Sequence, residues 1–155
     1  MKKWIVLLVV LFGTALLGVG GHNGEDIGRL MPVQLIMAEY KDGIVTVQTD
    51  TGHRGTGKDV ATALQDMDQA AEGKLFLDTA DYLLVRKNAQ QLLTDFTGDL
   101  RPSCAVCQYT GKIDPEAAAV FLQYHVPELT LGMYVAEEKT LPLLSSVEGR
   151  MELEQ

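Results

Sequence analysis

Gly52–Val85 reads GHRGTGKDVATALQDMDQAAEGKLFLDTADYLLV. It begins as a polar loop, Thr51 to Gly57, with three glycines. Thr56-Gly57-Lys58-Asp59 fits a capping box, in which the hydroxyl and the carboxylate satisfy free amides at a helix start. The spacing predicts a helix to about Glu72, with Val60, Leu64, Met67 and Ala71 as its apolar stripe. Gln65, Asp66, Asp68 and Gln69 form the wet face. Gly73 suits the residue that closes a helix in left-handed geometry. Leu75-Phe76-Leu77 is short and apolar, Asp78 to Asp81 interrupts it, and Tyr82 to Val85 resumes as a buried strand.

The same alternation extends to both sides. Upstream, Val33 to Glu39 is rich in strand formers, and Asp42-Gly43 supplies the positive-φ position of a hairpin turn. Ile44 to Asp50 alternates, with Ile44, Thr46 and Gln48 on one face and Val45, Val47 and Thr49 on the other. Downstream, Asn88 is expected to cap a helix that buries Ala89, Leu92, Leu93 and Phe96 and ends at Gly98. Ser103 to Tyr109 is a strand candidate. Asp114-Pro115-Glu116 is a helix start with proline at its first position, and Ala117, Val120, Phe121 and Tyr124 form the expected inward stripe. Leu129 to Ala136 fits a strand or a helical turn, and Pro142 forbids a helix interior. The order is roughly ββαββαβα. It implies an α/β (α+β) fold, a mixed β-sheet covered by helices in a single small domain.

With 155 residues, 46% hydrophobic and 22% charged, the chain has the size and composition of one globular domain. A formal charge of −8 excludes the basic footprint that nucleic acid requires and opposes adsorption to anionic lipid. Met1-Lys2-Lys3, the apolar run Trp4 to Val19 and the small residues Gly18 to Gly21 have the layout of a secretory signal. The run is also close to the length of an anchor. The expected organisation is a signal peptide or membrane anchor at 1–21, a tether at 22–31, an α/β domain at 32–145 and a frayed, charged tail at 146–155. The domain is expected outside the cytoplasm, secreted or at the outer face of the cytoplasmic membrane. If the N-terminal segment is uncleaved, it associates the chain with the membrane.

Candidate chemistry is sparse. Gly52 to Lys58 has G-x-x-x-x-G-K spacing, but Asp59 stands where a phosphate-binding loop needs Ser or Thr, and its charge would repel phosphate. Cys104-Ala105-Val106-Cys107 is a C-x-x-C, the possible redox pair of this chain. A redox C-x-x-C opens a helix, whereas these residues read as strand, where positions three apart face opposite sides. The readings are a redox pair, a structural disulfide or inert half-buried thiols. A zinc site would have to add His53 and His125, whose spacing does not support it. His125 is expected to meet the last carbonyls of its helix. Catalytic residues, cofactors and metals are therefore expected to be none.

One resemblance is carried by an extended hairpin ending near Asp50, then Gly55-Thr56-Gly57-Lys58, a helix containing Ala63-Leu64, and Gly73-Lys74-Leu75-Phe76-Leu77 before an apolar strand. This order resembles the N-terminal domain of the Ger(x)C family, the C subunits of spore germinant receptors, over about residues 33–110. Members of that family are longer lipoproteins, and no lipobox cysteine follows Leu16-Leu17-Gly18 here, so the likeness is to a shortened, non-lipidated relative. It implies a non-enzymatic, extracytoplasmic interaction domain in spore germination that assembles with integral membrane subunits.

Overall fold

The computed structural model describes residues 30–137 and 139–155. The expected signal or anchor at 1–21, and the tether as far as residue 29, lie outside the described residues. Among the described residues no helix is long and apolar enough to cross a membrane.

The elements are β1 (Leu30–Pro32), β2 (Leu35–Lys41), β3 (Ile44–Thr49), β4 (Arg54–Gly57), α1 (Val60–Ala70), β5 (Lys74–Phe76), a 3₁₀ turn (Leu77–Thr79), β6 (Tyr82–Arg86), a 3₁₀ helix (Lys87–Gly98), β7 (Ala105–Thr110), α2 (Pro115–Tyr124), α3 (Leu131–Ala136), β8 (Leu143–Val147) and β9 (Arg150–Glu154). Seven strands form one mixed sheet in the order β4-β3-β2-β6-β7-β8-β9. Its centre, β2-β6-β7-β8, is parallel, and antiparallel hairpins close both edges. β1 and β5 pair in parallel as a separate ribbon. Parallel strands need cover on both faces, and helices supply it. On one face α1, the 3₁₀ helix and α3 enclose Ile36, Val47, Met67, Leu83, Phe96 and Val106. On the other, Ala118, Ala119 and Leu122 of α2 cover Leu35, Leu84 and Cys107. This is the mixed α/β domain that the alternation implied.

Local chemistry explains the joints. The Asp50 carboxylate accepts from the amides of Gln34 and Leu35, both at 3.1 Å, and so aligns the start of β2. Thr79 Oγ1 accepts from Val33 N at 3.1 Å and donates to Phe76 O at 2.7 Å, joining the small ribbon to the 3₁₀ turn. Asp42 and Glu148, at φ 54° and 49°, each precede a glycine at φ 81° or 79°. The two hairpins β2–β3 and β8–β9 therefore turn through the same left-handed pair.

Several expectations are corrected. Gly55-Thr56-Gly57 is strand β4 rather than loop, because both glycines let β4 lie directly on α1. Thr56 does not cap; Asp59 is the N-cap residue of α1 and accepts from the Thr62 amide at 2.8 Å and the Thr62 hydroxyl at 2.6 Å. Arg86 is the N-cap residue of the 3₁₀ helix, and Asn88 lies inside it, its side-chain amide donating to the Tyr40 carbonyl. The buried residues of that element, Ala89, Leu92, Leu93 and Phe96, are the four expected. α2 turns Pro115, Ala118, Ala119 and Leu122 inward, leaving Val120 and Tyr124 exposed. Leu30 and Met31 belong to β1, not to the tether. The tail at 146–155 is not frayed: it completes the β8–β9 hairpin, and Met151 and Leu153 pack on the second core.

Candidate functional site

The carboxyl ends of parallel strands are where open α/β sheets place their crevices. Here β2, β6 and β7 end in Glu39-Tyr40-Lys41, Arg86 and Tyr109-Thr110. Strand alternation points Glu39, Arg86 and Tyr109 to the face covered by α2. The chain then runs through Gly111, at φ 78°, and returns over the sheet as Lys112-Ile113-Asp114-Pro115, the entry of α2. Between this entry and the sheet lies a groove of about 400 Å³, with Met37 as its floor and Thr46 and Gln48 of β3 on its far wall.

The polar groups of the groove are ordered by one another. Arg86 Nε stands 2.8 Å from Glu39 Oε2, with both side chains a little over one-third exposed. That nitrogen is sealed from solvent and its N–H has no in-line acceptor, so the contact is an ion pair rather than a hydrogen bond. Arg86 Nη2 donates to Gly111 O at 3.3 Å, and the guanidinium lies over the Tyr109 ring, 5.0 Å from its centroid. Burial pushes the Tyr109 phenol up, the Glu39 charge adds to this, and Arg86 offsets part of it. Tyr109 thus stays a neutral phenol at physiological pH. The Asp114 carboxylate is engaged at the helix start, accepting from Ala117 N at 2.9 Å. Lys112 is exposed on the rim. Apart from Asp114, expected as the start of its helix, none of these groups was singled out by sequence reasoning: Glu39, Arg86 and Tyr109 sit at the ends of separate strands, and Lys112 follows the last of them on the way to α2.

The sequence candidates fall elsewhere. Cys104 and Cys107 are both free and buried. They lie in opposite cores, Cys104 beneath the α1 face and Cys107 beneath α2. Burial pushes each thiol up to about 12. Thiols so placed are protonated and cannot share a disulfide or a metal, so the redox and zinc readings lose their geometry. Among the described residues no group of His, Cys, Asp and Glu converges as a metal site. Gly52 to Lys58 forms no phosphate cradle, since β4 pairs along its length with β3, and Asp59 is spent on the Thr62 groups. His125 does meet its helix end: Nδ1 lies 3.1 Å from Phe121 O, and its ring stacks on Phe121 at 4.2 Å.

No family model, curated protein or solved structure matches the chain.

Proposed function

We propose that this chain is an exported, membrane-proximal, non-enzymatic interaction domain of the Ger(x)C kind, acting in spore germination beside integral membrane subunits. One observation carries the reading. Gly55 and Gly57, the glycines on which the resemblance rests, are used for packing. A Cβ on Gly55 would stand 2.6 Å from Met67 N, and one on Gly57 would stand 2.5 Å from Ala63 N. Ala63 and Leu64, the Ala-Leu pair of the resemblance, are buried on the same helix. The shared pattern thus describes how a strand seats on a helix, which suits a binding scaffold and not a nucleotide loop. Val120 and Tyr124, one helical turn apart on the outer face of α2, and Val126 beyond it remain more than half exposed. They offer apolar area to a partner.

The test is to express the tagged full-length chain in a spore-forming host, fractionate it, and recover it from detergent-solubilised membranes. Co-recovery with permease-like membrane subunits is the expected result. Recovery alone from the soluble exported fraction overturns the reading.

A further inference from the structure

We propose that the open edge of the sheet, strand β9, pairs antiparallel with β9 of a second copy of this chain about a two-fold axis at Met151. The inference rests on the sheet edges alone and is independent of the export reading.

The two edges of the sheet differ. At the β4 edge the Thr56 amide donates to the Asp66 carboxylate of α1 at 2.8 Å, and Gly55 and Gly57 lie against the same helix. That edge is closed. β9 is the other edge. Val147 and Arg150 flank a two-residue turn and exchange bonds as its closing pair. Alternation then turns the N–H and C=O groups of Arg150, Glu152 and Glu154 to β8, and those of Met151 and Leu153 outward. Among the described residues nothing bonds these outward groups. The end of the strand is anchored, since the Gln155 side chain accepts from Glu128 N at 3.0 Å and donates to Val126 O at 3.2 Å. An edge so fixed is a template for another strand.

Charge selects the occupant and the register. Arg150, Glu152 and Glu154 are exposed on one face of β9, without ion-pair partners among the described residues. Antiparallel pairing of identical strands keeps each face together with Met151, Glu152 or Leu153 on the axis. With Glu152 there, Arg150 would meet Glu154 of the partner subunit, but Glu152 would face Glu152 of the partner subunit at the centre. With Leu153 there, Glu152 would face Glu154 of the partner subunit. Like charges directly opposed are destabilising. With Met151 on the axis, Arg150 faces Glu152 of the partner subunit, and the symmetry makes this pair twice. Both pairs stand at non-hydrogen-bonded positions, where side chains come closest. Glu154 then runs beside the turn, where the partner's Glu148, at φ 49°, has left the pleat. On the other face Met151, Leu153 and Phe121 are only partly buried at the rim of the second core. The axis brings two such rims together, so that the core continues across both copies.

Cysteine scanning of the full-length chain tests the pairing, because Cys104 and Cys107 are buried and do not compete. Across the axis the two Met151 positions oppose each other with Cα atoms about 5.5 Å apart, a separation that a disulfide spans. The two Leu153 positions would stand about 13 Å apart. Met151→Cys is therefore expected to give a covalent dimer under a mild oxidant, and Leu153→Cys to link at least about tenfold more slowly. Adding Arg150→Glu to Met151→Cys should slow linkage about tenfold, and adding Glu152→Arg as well should restore it. Absence of a covalent dimer from Met151→Cys overturns the proposal. So does equally fast linkage through Leu153→Cys, an unaltered rate with Arg150→Glu, or failure of the double exchange to restore the rate.

Discussion

Cys104 and Cys107 are three residues apart in sequence and lie on opposite sides of the sheet, one in each hydrophobic core. The period of a strand separates them, and no rotation of either side chain brings the sulfurs together. Both thiols are held near pKa 12 by burial. The native protein should therefore resist thiol reagents at neutral pH, and both cysteines should label at once when denaturant is added. Fast labelling of either thiol in the native state would contradict the structure. The same burial sets an alkaline limit. The folded thiols titrate above their ordinary value of 9.0, so the unfolded chain loses protons first. Stability is complete below pH 9 and falls between there and about 12, by up to about 1.4 kcal/mol per pH unit for each thiol. A double Cys→Ala variant should remove the part of that slope that sets in near pH 9, leaving the part above pH 10 to the raised phenols of Tyr82 and Tyr109.

Gly55→Ala and Gly57→Ala should each cost about 3 kcal/mol, because the new methyl meets backbone of α1 that cannot give way. Gly98 is the internal control: its Cβ would meet nothing within 4 Å and its backbone φ is not positive. Gly98→Ala should be neutral or slightly stabilising. Urea melts of the three variants decide whether the glycine pattern is a packing device. Loss of stability in all three, or in none, would remove that explanation.

Asp59 sets an acid dependence. The Thr62 hydroxyl, then the Thr62 amide, hold its carboxyl below the usual 3.8, with Lys58 adding a little and desolvation opposing. A lowered folded pKa means the contribution is full above 3.8 and is lost as pH falls through the folded value. Asp59→Asn keeps a cap acceptor but not the charge. Its melting temperature should lie below wild type at pH 6, and the two should converge as the pH is taken down through the acid transition. A constant gap at every pH would assign the effect to packing.

How much of this was legible depended on how unambiguous each local signal was. Asp42-Gly43 between two alternating runs announced its hairpin, and Val45, Val47 and Thr49 are buried as the alternation required. Glu148-Gly149 makes the same turn but carries no Asn or Asp, so the alternation of Arg150 to Glu154 was hidden in a charged tail. PEAAAVFLQY has apolar residues on every face, so the pattern could not choose between Ala117-Val120-Phe121-Tyr124 and the face that α2 buries. In the 3₁₀ helix the spacing of Ala89, Leu92, Leu93 and Phe96 found the buried face, yet it fits either helix type. β4 was obscured by glycine, which is poor in strands but necessary against α1. The groove was invisible because Glu39, Arg86, Tyr109 and Lys112 meet only through the register of three parallel strands.

Among the described residues Phe96 is the largest fully buried side chain, and it stands where the 3₁₀ helix meets the first core. Phe96→Ala should cost about 3–5 kcal/mol and Phe96→Leu clearly less, as expected for cavity formation. Calorimetric melting checks both. A loss below about 1 kcal/mol for alanine would mean that this element contributes little to the cooperative fold.

Glu148 closes the β8–β9 hairpin in left-handed geometry, φ 49°, without the compact polar side chain that tolerates it. Asn at this place retains the turn, bonds locally to the backbone and precedes Gly149 as turns of this hand favour. Glu148→Asn should therefore stabilise the protein by about 0.5–1 kcal/mol. The gain would report on the whole sheet edge, because β9 has a partner on one side only and its Met151 and Leu153 help to cover the second core. Glu148→Val, a β-branched residue forced into the same φ, should do the opposite and loosen β9. Hydrogen exchange at the amides of β8 and β9 reads both changes directly. Slower exchange in Glu148→Asn and faster exchange in Glu148→Val would show that the charged C-terminal segment is a working strand of the sheet. Exchange as fast as in an unfolded peptide in the unmodified protein would show that it is not.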